Sequence, residues 1–160
     1  MTENDFLECV KQYKQTVFRA AYCCLKNYSE AEDITQEVFL ALYTYNGIFN
    51  DDGHIKAWLL RVTVNKCRNL MKSAFRRLSA PLEEAAAKEA MTEENELLNV
   101  VMTLKPKLRT PLYMYYYEEY SVKEIAELLG EKETTITTRL SRGRQKLKEL
   151  LTKEEKDELS

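Results

Sequence analysis

Residues 121–148, SVKEIAELLGEKETTITTRLSRGRQKLK, leave this chain little freedom of structure. Ser121 with Glu124 three residues later is the reciprocal capping pattern that opens a helix, and Ile125, Leu128 and Leu129 supply its buried face. Gly130 stands where a left-handed residue has to end that helix. A second helix must start within a few residues, with Ile136, Leu140, Gly143 and Leu147 on one stripe. Two helices joined so tightly form a helix-turn-helix. Thr134, Thr135, Thr138, Arg142 and Gln145 are mostly turned away from the stripe, with Arg139 at its margin. Short hydroxyls near a helix N-terminus suit phosphates and base edges, and the arginines that follow suit guanine or phosphate. The reading is a hairpin that binds DNA.

The rest of the chain agrees with an all-α fold. Its 160 residues include only four Gly and three Pro, and no run of alternating β-branched residues is long enough to seed a sheet. That length suits one ordinary domain or two small ones. Phe6, Val10, Tyr13 and Val17 recur at helical steps, which predicts a first helix. Ser29 with Glu32 predicts the cap of a second, burying Ile34, Val38, Ala41, Leu42 and Tyr45. The segment 46–54, NGIFNDDGH, reads as a loop. A third helix is expected over about 55–73, burying Trp58, Leu59, Val62 and Leu70, with its other face basic.

Over 78–95 the periodicity fades and Ser, Pro and Glu collect, which predicts a flexible linker between two small helical domains, 1–77 and 96–160. In the second domain Leu97, Val101 and Leu104 mark a helix that ends at Lys105-Pro106-Lys107. Thr110 followed by Pro111 reads as the N-cap and first-turn proline of the next helix, because a proline inside a helix costs ~3 kcal/mol.

A formal net charge of −2 argues against a nucleic-acid binder until its distribution is examined. Residues 51–80 carry Lys56, Arg61, Lys66, Arg68, Lys72, Arg76 and Arg77 against Asp51 and Asp52, a net +5. Residues 81–100 net −5, and 132–148 net +5. Two basic patches separated by an acidic bridge describe two binding surfaces. The four cysteines, at 9, 23, 24 and 67, have neither metal-ligand spacing nor disulfide density and read as buried thiols of a reducing compartment. The start, MTENDFLECV, is acidic and lacks the apolar core of a signal peptide, and no stretch approaches ~18 apolar residues, so a cytoplasmic protein without membrane insertion is expected. One histidine, no phosphate-binding glycine loop and no spaced nucleophile set give no catalytic residue, no metal and no cofactor, and hence no enzyme.

Four stretches carry a family resemblance: AEDITQEVF (31–39), WLLRVTVNKCRNLMKS (58–73), LKPKLRTPLYMYYYEEYSVKEIAELLG (104–130) and TTRLSRGRQKL (137–147). In this order, and covering most of the chain, they resemble the extracytoplasmic-function (ECF) sigma factors of bacterial RNA polymerase, in the sigma-70 superfamily. The resemblance implies a promoter-specificity subunit that takes RNA polymerase core and promoter DNA as partners and is sequestered by an anti-sigma factor. It implies that Asp33, Gln36 and Glu37 grip a coiled-coil clamp of the largest polymerase subunit. It implies that Arg61, Asn65, Arg68 and Asn69, with Lys72 beside them, stabilise the melted minus-10 element, flanked by the 46–54 loop that in relatives captures a flipped-out base. Trp58 belongs to the same match, and its register with Leu59 and Val62 makes it core.

In the second domain the resemblance implies docking on the flap of the second-largest subunit and reading of the minus-35 element by Thr134, Thr135, Thr138, Arg139 and Arg142. Relatives commonly show Gly-Thr-Val-Lys-Ser-Arg where this chain has Thr-Thr-Ile-Thr-Thr-Arg at 134–139, so their promoter sequences do not carry over. The tyrosines at 115–117 read as packing, with a partner surface as the lesser alternative. One rival is a stand-alone helix-turn-helix regulator that binds duplex DNA without polymerase and leaves the motifs of 31–77 idle. Another is a helical interaction module whose basic faces bind acidic partners.

Overall fold

The structure is a computed structural model, and the residues it describes are 1–73 and 96–159. It contains α1 (Glu3–Leu25), α2 (Tyr28–Thr44), α3 (Asp52–Met71), α4 (Glu96–Val101), α5 (Pro106–Tyr116), α6 (Val122–Leu129) and α7 (Glu133–Leu159). Among the described residues there is no strand. The helices fall into two compact units, α1–α3 and α4–α7, as an all-α chain of two helical domains requires. The linker expected over 78–95 lies outside the described residues.

In the first unit α1 packs on both α2 and α3. Thr2 and Asp5 cap its start reciprocally, and Cys9, Tyr13, Val17, Ala20, Ala21 and Cys24 form its buried stripe, with Phe6 and Val10 half-buried. Lys26, at φ 53, ends α1 in the left-handed conformation. Extended Asn27 then caps α2, its side chain accepting from the Glu30 amide at 3.0 Å. The cap expected at Ser29 is therefore corrected to Asn27: the sharp exit from α1 brings the chain to a cap geometry two residues earlier, and Asn serves there as well as Ser. Ile34, Val38 and Leu42 are buried as expected, whereas Tyr45 is past the helix and 41 % exposed.

Helix α3 begins at Asp52 rather than 55, because Asp51 accepts from the His54 amide at 2.7 Å and caps it. Its buried residues are Leu59, Leu60, Thr63, Val64 and Cys67, while Trp58, Val62 and Leu70 are half-buried. The buried face is thus rotated from the expected one. Thr63 fits inside because its hydroxyl donates to the Leu59 carbonyl at 2.7 Å. Cys9, Cys23, Cys24 and Cys67 are buried thiols. A hydrogen bond with Cys24, together with burial, pushes the Cys67 thiol far above its ordinary pKa.

In the second unit Val101 and Leu104 are buried as expected, together with Leu98 and Met102, whereas Leu97 is exposed and its place in the core is taken by Leu98. Helix α5 starts at Pro106, the first helical residue after Lys105, and continues through Pro111. The start expected at Thr110 and Pro111 is wrong. Pro106 already supplies the favoured first-turn proline, and Pro111 sits mid-helix, where it forfeits the bond to the Lys107 carbonyl. Burial of Leu112 and Met114, at 0 % and 1 % exposure, offsets that loss. Arg109, 3 % exposed, donates from Nη1 to the Met102 and Leu104 carbonyls at 3.3 and 3.1 Å and so closes the end of α4.

The hairpin forms as read. Ser121 and Glu124 exchange both capping bonds at 3.1 Å, and Gly130 ends α6 at φ 65, ψ 33. Ile125, Ile136 and Leu140 are at most 1 % exposed and join α6 to α7.

Candidate functional site

Three polar surfaces stand out, two on the first unit and one on the second. On α2, Asp33, Gln36 and Glu37 are exposed while the neighbouring Ile34, Thr35 and Val38 are buried, as the helical period requires. The structure brings all three to one groove of about 290 Å³, lined also by Glu30, Ile34, Leu40 and Leu70. Leu40 is 64 % exposed, so the groove combines an acidic rim with an apolar floor and end. That chemistry suits a helix carrying both basic and apolar side chains. Glu30 and Leu40 were not singled out from sequence, and Leu70 was expected there only as part of the buried face of the third helix. The out-of-register Leu40, among polar neighbours on α2, was a usable signal; Leu70 comes from α3 and was not.

The second surface is the outward face of α3. At about 100° per residue, Arg61, Asn65, Arg68 and Lys72 fall within a sector of roughly 60°, with Asn69 about 40° beyond Asn65. Arg61, Asn65, Asn69 and Lys72 are exposed and Arg68 is half-buried. The five residues therefore share one face, which offers three cations and two amides that can satisfy unpaired bases.

The start of that face is fixed by an aromatic cluster. Trp58 lies 4.8 Å from the Tyr45 ring and 5.8 Å from the Phe49 ring, and Phe49 meets His54 edge to face at 5.2 Å. Trp58 is accordingly half-buried under the 45–51 loop and not the core residue expected. The loop is tied down where the Asn50 amide donates to His54 Nδ1 at 3.1 Å, and the Tyr13 hydroxyl donates to the Asp52 carbonyl at 3.2 Å. Ile48, 86 % exposed, stands at its tip.

The third surface belongs to α7. Thr134, Thr138, Arg142 and Gln145 are exposed, Thr135 and Arg139 half-buried. The Thr138 hydroxyl donates to the Thr134 carbonyl at 2.9 Å and keeps its lone pairs outward. Arg139 Nη2 lies 3.4 Å from Glu131 Oε1, an ion pair from the turn that holds the guanidinium at the helix edge. Arg144 leaves this face: its Nε donates to the Tyr116 hydroxyl at 2.6 Å, and its guanidinium carbon lies 5.3 and 5.6 Å from the Tyr115 and Tyr116 ring centroids. Among the described residues no group of acidic, His or Cys side chains is arranged to hold a metal, and no helix is long and apolar enough to cross a membrane.

Residues 9–77 match the family Sigma-70 region 2, and residues 94–147 match Sigma-70, region 4. The chain is 29 % identical to the ECF RNA polymerase sigma factor SigW of Bacillus subtilis, over 93 % of this chain and 90 % of that protein. It is 30 % identical to the ECF RNA polymerase sigma factor SigE of Mycolicibacterium smegmatis, over 91 % of this chain and 61 % of that protein. Its fold is similar to that of the sigma factor RpoE solved in complex with the anti-sigma factor NepR from Bartonella quintana, with a TM-score of 0.71, 19 % identity, and coverage of 92 % of this chain and 97 % of that one. Both regions occur in order on one helical chain, with relatives aligned along nearly its whole length, and the chain belongs to the ECF sigma factors of the sigma-70 superfamily.

Proposed function

We propose that this chain directs RNA polymerase core to specific promoters and assists their opening, with the work divided among its three surfaces. The acidic and apolar groove of Asp33, Gln36 and Glu37 receives a basic helix of the polymerase clamp. The α3 face of Arg61, Asn65, Arg68, Asn69 and Lys72 holds the melted minus-10 strand, its cations on phosphates and its amides on base edges. The α7 face of Thr134, Thr135, Thr138, Arg139 and Arg142 enters the major groove of the duplex minus-35 element. The chain contributes recognition, and bond-making belongs to the polymerase. An anti-sigma protein that covers these faces is the expected inhibitor, a reading supported by the structurally similar sigma factor RpoE having been solved in complex with the anti-sigma factor NepR, and the cytoplasm, where polymerase works, is the expected site of action.

The observation that carries the reading is the pairing, on one three-helix unit, of an acidic groove on α2 with a face of cations and amides on α3. A free-standing duplex binder has use for neither. The test is transcription from purified components: core polymerase with this chain should start RNA at a defined site on promoter DNA recovered by the reconstituted complex from genomic fragments. Core that starts RNA at the same sites without the chain would overturn the proposal.

A further inference from the structure

Arg144 belongs by composition to the basic patch of α7, and charge alone would assign it to phosphate. Its geometry argues otherwise. Two residues past Arg142, it projects roughly 160° around the helix from that side chain. Its guanidinium is already engaged: Nε donates to the Tyr116 hydroxyl at 2.6 Å, and the group lies over the rings of both Tyr115 and Tyr116, within the ~6 Å at which a cation is attracted to a ring face. The two tyrosines are at the C-terminal end of α5, 28 residues away in sequence for Tyr116. The adjacent Gly143 is a point of close approach of α7 to α5, since a β-carbon there would come within 2.6 Å of Leu112 Cδ1. Gly143 thus lets α7 pack closely on α5 over Leu112, and one residue further on the exposed Arg144–Tyr116 bond ties the flank of α7 to the end of α5.

We infer that Arg144 is a positioning residue of the DNA-reading helix: clamped by Tyr115 and Tyr116, it fixes the rotation of α7 that turns Thr134, Thr138 and Arg142 outward, and it makes no phosphate contact itself. The inference rests on the reading of α7 as the minus-35 helix. Its consequence is that Tyr116, far from the DNA face in sequence, is needed for promoter discrimination through a single hydroxyl.

The experiment uses holoenzyme reconstituted from core polymerase and the full chain. The probes are a duplex selected by the wild-type holoenzyme from a library randomised over the minus-35 element, and a scrambled duplex of the same length. If the wild-type holoenzyme selects no common sequence, the minus-35 reading itself fails. If it does, Arg144→Ala should lower the preference for the selected over the scrambled duplex by roughly tenfold, the scale of one mismatched base pair, with the slope of affinity against salt unchanged. Tyr116→Phe, which keeps Arg144 and the ring and removes only the acceptor, should lower the preference in the same direction, and the double variant should be no worse than Arg144→Ala. A role confined to folding would lower the melting temperature while leaving the preference of the folded fraction intact. An Arg144→Ala salt slope reduced by about one unit with Tyr116→Phe silent would identify a phosphate contact and overturn the inference. Unchanged preference in Tyr116→Phe would overturn it equally, even if Arg144→Ala failed to fold.

Discussion

Lys66 of α3 reaches toward Glu37 of α2, with Nζ 3.8 Å from Oε2, and so joins the acidic groove to the helix whose outward face is basic. The pair is long, and its side chains are 33 % and 57 % exposed. Such pairs contribute ~0–1 kcal/mol to stability. The two polar surfaces are therefore held in place by the core beneath them, by Val38 and Leu42 on α2 and Leu60 and Val64 on α3, each at most 1 % exposed.

Separate roles for core and surface give the first prediction. Replacing Asp33, Gln36 and Glu37 together with alanine should change unfolding free energy by no more than about 1 kcal/mol, because all three are exposed and the ion pair of Glu37 with Lys66 is long. The same variant should lose affinity for core polymerase measurably, in a titration of labelled chain. Retained affinity would refute the groove as the polymerase-binding surface, and large destabilisation would refute the division of labour.

Gly143 faces Leu112, whose side chain is fully buried. Gly143→Ala gains about 1 kcal/mol of helix propensity and spends a comparable amount moving the Leu112 methyl, so its net effect should stay within about 1 kcal/mol. Gly143→Val adds two further carbons in the same place and should cost about 2 kcal/mol or more, read by urea unfolding. Equal stability of the two variants would mean that α5 and α7 are not in close packing at this point.

The hairpin was legible because strictly local rules decide it: a reciprocal cap at Ser121 and Glu124 and a left-handed Gly130 lie within ten residues and need no tertiary information. The start of α5 was not, because Pro106 and Pro111 compete for the same role and only the packing of Leu112 and Met114 decides between them. The face of α3 was misjudged by its polar-looking insiders, Thr63 and Cys67, which helical packing on two neighbours buries completely. Exposure of Asp33, Gln36, Glu37 and of the α3 row followed from the period of a single helix. The groove did not, since Leu70 enters it from another helix. The Arg144–Tyr116 bond, between helices far apart in sequence, left no sequence signal.

Arg109 is a buried cation of the second unit, and its guanidinium donates to the Met102 and Leu104 carbonyls past the end of α4. Arg109→Met keeps much of the side-chain volume but leaves those acceptors short of a donor, and should cost about 2–4 kcal/mol. The loss should appear in the unfolding transition of α4–α7 and spare the α1–α3 unit, as seen by hydrogen exchange. Arg109→Lys should recover only part, since one ammonium on a shorter reach replaces a planar fork.

The raised Cys67 pKa makes stability pH-dependent in the alkaline range. The thiol's ordinary value is 9.0, and the hydrogen bond with Cys24 and burial hold it protonated in the fold well above that. Below pH about 9 both states keep the proton and the contribution is fully present; above it the unfolded chain ionises first and stability falls with rising pH, by at most about 1.4 kcal/mol per unit. Cys67→Ala lowers stability overall by creating a cavity, yet should flatten the slope between pH 8 and 10. A wild-type slope no steeper than that of the variant would refute the buried thiol as its source.

The α3 face gives the sharpest test of how the chain opens DNA. Asn65 is at the centre of that face and Arg68 one turn further on, both clear of the buried set Leu60, Val64 and Cys67, so Asn65→Ala with Arg68→Ala should leave folding within about 1 kcal/mol of wild type. Binding of the upstream duplex, which the proposal assigns to α7, should persist. Promoter opening should fall, because the melted strand loses an amide for its bases and a cation for its phosphates. Permanganate reactivity of thymines in the polymerase complex reads this directly. A template mismatched over the minus-10 element removes the cost of unpairing and retains the cost of lost strand contacts, so the double variant should be rescued on it only in part. Normal opening on both fully paired and mismatched templates would remove α3 from the minus-10 interface.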